Sequence, residues 1–381
     1  MKRMIAAALA AACLFRLPCA AETLAQEKGE HNIKAQAALL MEETTGEILY
    51  AQNENQPVAP ASITKIMGLI LVAEQLESGA MSLEEKLTCS EYAKSMGGSE
   101  IWLKVGEQMT VEDLLKAVVI ASANDAMVVF AEKIGGTEEG FVEMMNQKAK
   151  ALGAENTNFV NCVGFDEDNH KTTAYDIALM ARELLSHPII TQYSTIWMDS
   201  LRGGETQLVN TNRLVRFYDG TTGLKTGTTD AAGHCLCATA KRGELSLISV
   251  VMDCKTGEER FEESKKLLDH GFSTYVIYQP QPVELPPLSV ERGTQEQVAL
   301  RCPAPQGVVL TKEQAQLAQE LLPELNAVAA PVEEGQTVGE IQITVDGKTV
   351  ASYPVQASFA VPRRTWGKSV GMLFSALICM N

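Results

Sequence analysis

Residues 60–67 read Pro60-Ala61-Ser62-Ile63-Thr64-Lys65-Ile66-Met67, and an almost wholly apolar run continues from them to Leu76. A helix with so little polar surface is buried on all sides, so the run predicts a helix inside a sizeable core. The spacing of Ser62 and Lys65 places the hydroxyl and the amine on the same face at the start of that helix. A lysine there needs an explanation, because lysine is almost never fully buried without a partner.

Ser62 and Lys65 form the first candidate pair for chemistry. Burial and a nearby cation would lower the pKa of the lysine, so that its neutral amine could take the proton from the Ser62 hydroxyl. The alternative is structural: a serine that caps the helix and a lysine whose charged end extends to solvent. The sequence contains no other Ser-x-x-Lys.

Two more short motifs carry polar side chains that could face a cleft. Ser122-Ala123-Asn124 falls between a helix predicted from Thr110 to about Ala121 and one that begins near Asp125. Taken alone, this motif is also typical of ordinary loop hydrogen bonding. Lys225-Thr226-Gly227 leads through a turn into a predicted strand, and a glycine inside a strand permits close approach of a ligand's backbone.

The tripeptide Lys-Thr-Gly occurs twice in the chain. At Lys255-Thr256-Gly257 it follows a strand and runs into an acidic helix predicted over 258–269, so we interpret this copy as a turn. At the first copy, Lys225 and the hydroxyls of Thr226 and Thr228 would offer a site for a free carboxylate.

The composition is that of a folded protein, and its first residues predict export. Hydrophobic residues make up 46% and charged residues 21% of the chain, which is ordinary for a soluble domain. The formal charge of −16 disfavours a nucleic-acid partner. Lys2 and Arg3 precede an apolar run, which predicts a signal peptide over residues 1–21 and an extracytoplasmic location. A buried N-terminal helix is the alternative.

The number and spacing of the cysteines do not indicate a disulfide framework. After residue 21 seven remain, an odd number at irregular spacings and without a C-x-x-C pair. We therefore expect scattered free thiols that act as small core residues.

The pattern along the chain indicates two domains. Residues 22–278 mix helices with short strands and begin with a hairpin over 35–50. Residues 279–287 are rich in proline and predict a stiff linker. Residues 288–362 predict a small β-rich domain, with one helix near Lys312–Leu322 and a hairpin turn at Asp346-Gly347.

The C-terminal segment, residues 363–381, has a basic start and apolar residues at helical spacing. It is too short to span a bilayer, which needs about 20 residues. We interpret it as an amphipathic helix that lies on the outer face of the cytoplasmic membrane. A helix docked on its own domain is the alternative.

In order, Ser-x-x-Lys at 62, Ser-x-Asn at 122 and Lys-Thr-Gly at 225 resemble the signature set of the active-site-serine penicillin-binding proteins and β-lactamases. Together with longer segments at 98–126 and 212–229 and the β-rich domain, they resemble low-molecular-mass penicillin-binding proteins of the serine D-alanyl-D-alanine carboxypeptidase family. The resemblance covers nearly the whole mature chain. It implies an α+β fold of the penicillin-binding-protein/β-lactamase type, an antiparallel sheet with helices on both faces, followed by a small β-rich domain.

The resemblance also implies a reaction. The enzyme would remove the terminal D-alanine from peptidoglycan stem pentapeptides, without a metal ion or cofactor, and β-lactams would inhibit it. Ser62 would be the nucleophile that forms the acyl-enzyme, and Lys65 would be the general base. Ser122 would relay a proton to the departing D-alanine.

Substrate binding is implied in the same way. Asn124 would bind the amide backbone of the stem peptide. Lys225, Thr226 and Thr228 would surround its terminal carboxylate. The backbone N–H groups of Ser62 and Thr228 would form the oxyanion hole.

Other functions stay open to different degrees. A D,D-endopeptidase that cuts cross-links would use the same site. A β-lactamase would need a glutamate-bearing loop, and the loop Asn161–His170 contains Glu167 without the surrounding pattern. The intact motif set disfavours a non-catalytic wall-binding protein. The histidines show no metal-ligand spacing, and His170 is given no chemical role.

Overall fold

The computed structural model describes residues 33–303 and 307–365. The predicted signal peptide, residues 1–21, lies outside them, as does residue 366 onward of the predicted terminal helix. Within the described residues, no helix has the length and hydropathy needed to cross a bilayer.

A five-stranded antiparallel sheet lies between two groups of helices in the first 278 residues. The strands up to β9 are β1 (Ala37–Glu42), β2 (Ile48–Gln52), β3 (Lys86–Thr88), β4 (Gln108–Thr110), β5 (Met198–Leu201), β6 (Thr206–Val209), β7 (Thr221–Thr229), β8 (Gly233–Arg242) and β9 (Leu245–Cys254). The order in the sheet is β2-β1-β9-β8-β7, and β3–β4 and β5–β6 form separate two-stranded sheets.

Four helices of this region begin at threonine caps, at Thr110, as predicted, and at Thr137, Thr173 and Thr256. In each case the threonine hydroxyl accepts a backbone N–H of the first turn. The helices are α1 (Lys65–Glu77), α2 (Glu91–Lys94), α3 (Val111–Ala121), α4 (Asn124–Gly135), α5 (Glu138–Ala151), α6 (Ala174–Leu185), α7 (Pro188–Ser194), α8 (Leu214–Phe217) and α9 (Gly257–Thr274).

Both faces of the sheet are covered, which explains why β1 is apolar at nearly every position. Leu39 and Met41 belong to the core that includes α1, α3, α4 and α6, whereas Leu40 belongs to the core under α9. Successive side chains of a strand point to opposite faces. The predicted antiparallel sheet with helices on both faces is therefore confirmed, and α1 is buried as expected from Lys65 to Ala73.

The C-terminal region is rich in strands. It contains α10 (Lys312–Leu317) and the strands β10 (Tyr275–Tyr278), β11 (Leu288–Glu291), β12 (Gln297–Val298), β13 (Leu300–Arg301), β14 (Val308–Thr311), β15 (Gln319–Leu321), β16 (Val328–Ala329), β17 (Thr337–Val345) and β18 (Lys348–Ala357). The turn Asp346-Gly347 joins β17 to β18, as the sequence predicts. β10 pairs with β14. The domain limits 22–278, 279–287 and 288–362 stay predictions.

Two predicted helices need correction. The helix expected over Lys312–Leu322 ends at Leu317, because residues 319–321 form β15 and exchange backbone hydrogen bonds with β17. The segment expected to be helical from residue 363 starts in extended form: Arg363 bridges to Gly293, and the backbone N–H of Arg364 donates to the Arg292 carbonyl. In both places a strand partner distant in sequence satisfies the backbone instead of a helix.

The described cysteines are free thiols, and five of them are buried, at positions 89, 162, 235, 237 and 254. Their expected role as small core residues is confirmed for these positions. Cys379 lies outside the described residues.

Candidate active site

Ser62 lies on a short 3₁₀ turn, Ala61–Thr64, which leads directly into α1. Two glycines bring other elements against this turn. A side chain at Gly227 on β7 would meet the Pro60 carbonyl oxygen at 2.9 Å, and one at Gly164 would meet the Ala61 carbonyl oxygen at 1.9 Å. The glycine in the strand therefore allows close approach, as predicted, but of the nucleophile's own backbone.

The amine of Lys65 is 2.9 Å from the hydroxyl oxygen of Ser62 and 2.8 Å from the backbone carbonyl oxygen of Val163. The side chain of Lys65 is completely buried. Burial disfavours the charged form and lowers the pKa of Lys65 to about 7. The amine therefore lies within reach of the Ser62 hydroxyl, as predicted, and its lowered pKa favours the neutral form.

Ser122 and Asn124 lie where α3 gives way to α4. Ser122 has a left-handed backbone, with φ of 64°, a conformation that is uncommon outside glycine and often found at functional sites. Its buried hydroxyl has no hydrogen-bond partner among the described residues. The amide nitrogen of Asn124 donates to the Gly97 carbonyl at 2.8 Å, while its buried amide oxygen has no such partner. Both oxygens are free to bind a ligand.

β7 carries the predicted carboxylate site. Lys225 is buried, and burial together with the charge of Lys65 holds its pKa well below the usual value. The electrostatic effect of one lysine on the other means that the two amines share one region. The hydroxyl of Thr226 donates to that of Thr211 at 2.8 Å, and Thr228 is exposed at the end of the strand.

Arg260 is a residue that the sequence analysis did not identify. Its guanidinium donates to the Gly227 carbonyl at 3.0 Å and to the Thr228 hydroxyl at 2.9 Å. The second Lys-Thr-Gly explains its position, because Thr256 caps α9 and Arg260 lies in the first turn of that helix. The interpretation of this copy as a turn is correct. The signal was a single arginine among the glutamates that open the helix.

The loop Asn161–Phe165 is the second contribution that the sequence did not reveal, because its contact with Lys65 is made by a backbone carbonyl. The side-chain oxygen of Asn161 accepts the N–H groups of Val163 at 3.3 Å, Gly164 at 2.7 Å and Phe165 at 3.0 Å. One amide side chain therefore fixes the loop that holds the Val163 carbonyl against Lys65.

The elements meet around the 3₁₀ turn Ala61–Thr64, named the nucleophile turn after the predicted role of Ser62. β7 packs on it through Gly227, and the loop Asn161–Phe165 packs on it through Gly164. A side chain at Gly98 would meet the amide nitrogen of Asn124 at 2.8 Å and the ring of Phe165, in this loop, at 3.7 Å. The predicted residues thus lie on adjoining elements, with Ser62 and Lys65 in direct contact. Glu167, the glutamate considered for a β-lactamase, is exposed just beyond this loop.

Comparison with known proteins agrees with this arrangement. A family model described as D-alanyl-D-alanine carboxypeptidase matches residues 22–256, and one described as Penicillin-binding protein 5, C-terminal domain, matches residues 272–363. The D-alanyl-D-alanine carboxypeptidase DacF of Bacillus subtilis (strain 168) is 39% identical over 368 residues, which cover 94% of each chain.

Solved structures show the same fold. Penicillin binding protein 5 from Haemophilus influenzae superposes with a TM-score of 0.80 at 31% identity, over 87% of this chain and 98% of that one. Penicillin-binding protein D2 from Listeria monocytogenes, in an ampicillin-bound form, gives 0.59 at 33% identity, over 64% of this chain and 99% of that one. The family match extends over more than half of the sequence and contains the three motifs. The chain therefore belongs to the D-alanyl-D-alanine carboxypeptidase family.

Proposed function

We propose that this serine-type carboxypeptidase removes the terminal D-alanine from peptidoglycan stem pentapeptides through an acyl-enzyme on Ser62. The observation that carries the proposal is the buried amine of Lys65, 2.9 Å from the Ser62 hydroxyl oxygen, with a pKa lowered to about 7. At neutral pH a large fraction of this amine is uncharged and can accept a proton.

The first step is activation of the nucleophile. The neutral amine of Lys65 donates one N–H to the Val163 carbonyl, which turns its lone pair toward the Ser62 hydroxyl. As the Ser62 oxygen attacks the carbonyl between the two D-alanines, its proton passes to Lys65. The backbone N–H groups of Ser62 and Thr228 bind the oxygen that gains negative charge. Each such donor is worth about 10²–10³-fold in rate.

The second step is departure of D-alanine. The peptide nitrogen needs a proton as the C–N bond breaks, and the hydroxyl of Ser122, which has no described partner, is free to deliver one that comes from Lys65. Water then attacks the ester, with Lys65 again as base, and releases the tetrapeptide and free Ser62. Protons are conserved over the cycle, since the one taken from water returns to the Ser62 oxygen.

Substrate recognition uses residues at the start of α4 and on β7. The free amide oxygen of Asn124 accepts an N–H of the stem peptide. Lys225, Thr226 and Thr228 bind the terminal carboxylate, and Arg260 orients the Thr228 hydroxyl from behind. A carboxylate restores the charged form of Lys225, because an opposite charge raises the pKa of a buried amine.

β-lactams are proposed as inhibitors that acylate Ser62. Their strained amide and carboxylate present the same two groups as the terminal dipeptide. A penicillin-binding protein that this chain resembles has been solved with ampicillin bound.

We also propose that the protein acts outside the cytoplasmic membrane and attaches to its outer face. The basic and apolar pattern of residues 1–21 supports export, and the amphipathic pattern of residues 363–381 supports attachment.

The proposal predicts the products of the reaction. Purified protein should convert a stem pentapeptide into tetrapeptide and one equivalent of free D-alanine, followed by chromatography and mass spectrometry. Ser62→Ala should abolish release, whereas Ser78→Ala, a serine on the exposed end of α1, should leave it unchanged. Cleavage of cross-linked dimers without release of D-alanine from pentapeptide would instead identify a D,D-endopeptidase.

A further inference from the structure

His170 contacts both the nucleophile turn and the loop that holds Lys65. Its Nε2 is 2.8 Å from the hydroxyl oxygen of Thr64, the residue that directly precedes Lys65. Its Nδ1 accepts the backbone N–H of Val160 at 3.0 Å and, more weakly, that of Asn161 at 3.4 Å. We propose that His170 is a positioning residue for the Ser62–Lys65 pair.

The tautomer of His170 follows from these partners. A backbone N–H can only donate, so Nδ1 must be the acceptor and must carry no proton. The ring proton therefore lies on Nε2 and points at the Thr64 hydroxyl oxygen. In this form the imidazole connects the start of the loop with the nucleophile turn. Backbone N–H groups of the loop donate to Nδ1, and the protonated Nε2 donates to the Thr64 hydroxyl oxygen.

The surroundings of His170 keep the imidazole neutral. The side chain is buried, and its ring meets Phe159 edge to face at 5.9 Å. Burial lowers the pKa of His170 to about 4, and the charges that oppose this effect come from Asp166 on the same loop and Glu138 at the start of α5. At the neutral pH where Lys65 works, both hydrogen bonds of the ring are therefore kept.

The loop between Val160 and Phe165 packs on the nucleophile turn through Gly164, and the side chains of Asn161 and Glu138 hold the loop by hydrogen bonds that do not reach the turn. Asn161 accepts three N–H groups within the loop. The carboxylate of Glu138 accepts the N–H of Cys162 at 2.8 Å. These contacts fix the shape of the loop. His170 is the described side chain that connects this loop by hydrogen bonds to Thr64, and so sets where the Val163 carbonyl meets the amine of Lys65.

A positioning role for His170 affects the alignment of Lys65 with Ser62 and not the folding of the protein. If the loop drifts from the turn, Lys65 loses a fixed acceptor and gains water, which raises its pKa and turns its lone pair away from Ser62. A misplacement of about 1 Å can lower a rate by about 10²-fold. The inference rests on the proposed roles of Ser62 and Lys65.

The test uses four single variants of the full chain, the double variant His170→Asn/Thr64→Val, and the rate of acylation by fluorescent penicillin as a function of pH. His170→Asn keeps an acceptor near Nδ1 but is too short to reach Thr64. Thr64→Val removes the same hydrogen bond from the other side, and Thr64→Ser retains it. His187→Asn is the control, because His187 is an equally buried histidine that pairs with Glu77.

We expect His170→Asn and Thr64→Val each to slow acylation by about 10–100-fold and to move its acid limb to higher pH. The double variant should be no slower than either single variant, because both remove one interaction. Thr64→Ser should retain the wild-type rate and profile. His187→Asn should be less stable to urea, with the wild-type acylation rate and pH profile.

Three outcomes would overturn the inference: wild-type rates and profiles in His170→Asn, full additivity of the two changes, or the same effect from His187→Asn at equal loss of stability. A wild-type protein that is not labelled, or that is labelled equally after Ser62→Ala, would instead refute the proposed function. The two failures are thus distinguishable.

Discussion

The two buried lysines of the site show how one residue type serves two purposes. Lys65 and Lys225 are both almost fully excluded from water, and burial lowers the pKa of each. Lys65 has the Ser62 hydroxyl and the Val163 carbonyl as partners, which suits a neutral amine that alternately accepts and returns a proton. Within residues 33–303 and 307–365, Lys225 has only a long contact of 3.5 Å to the Thr226 carbonyl. Its hydrogen-bonding capacity is therefore left for a ligand.

Ser122 gives a prediction at this scale, because its hydroxyl is buried without a described partner. Ser122→Ala should slow acylation by about 10²–10⁴-fold, the range for loss of a proton-transfer group. Its free energy of unfolding should stay the same or rise by about 1 kcal/mol, since an unsatisfied polar group is removed. Urea denaturation and penicillin acylation measure the two effects.

A matched control is Ser194→Ala. Ser194 is equally buried, but its hydroxyl donates to the Thr222 carbonyl at 2.5 Å. Its loss should cost about 1–2 kcal/mol of stability with acylation largely retained. A Ser122→Ala protein that is destabilised to the same degree and remains active would contradict a relay role.

At the scale of elements, local signals predicted where helices begin better than where elements end. The helix start predicted at Thr110 is confirmed as the cap of α3, because a cap is a contact within one turn. The sequence predicts a helix where β15 lies, and this prediction is wrong. The residues of β17 that pair with β15 lie some twenty positions further along the chain, so no local signal indicates the strand. Strand β8, the strand predicted to follow Lys225-Thr226-Gly227, extends over Gly233–Arg242 because neighbours on both sides pair with it.

The same distinction applies to the candidate site. Ser62 and Lys65 could be placed together from sequence because the helix fixes their distance. The roles of Ser122 and Lys225 needed the resemblance, since nothing local relates them to Ser62. The Val163 carbonyl could not be predicted at all: backbone atoms leave no mark in the residue type, and only Gly164 hints at a close approach.

At the scale of the whole molecule, the residues proposed as nucleophile, base and carboxylate ligands all lie before residue 261, and none of them lies in the β-rich region. The terminal segment is therefore expected to govern location and not chemistry. The side chain of Arg364 donates to the Gly293 carbonyl. A deletion of the terminal segment should therefore begin at residue 366.

We predict that deletion of residues 366–381 shifts the protein from the membrane to the soluble fraction, because the apolar face of the predicted amphipathic helix is lost. The rate of D-alanine release from soluble pentapeptide should be unchanged. Fractionation followed by immunoblotting measures the first effect. Retention of the truncated protein on membranes would favour a helix docked on its own domain.

The central claim is that a buried, neutral Lys65 activates Ser62. The most direct test is the second-order rate of acylation of the wild-type protein by a penicillin, measured from pH 5 to 10. Because the base must be uncharged and burial lowers its pKa to about 7, the rate should rise with pH, reach half its plateau near pH 7, and be lost in Lys65→Met. A rate that is independent of pH, or that rises only near the ordinary pKa of lysine at about 10.4, would contradict the account.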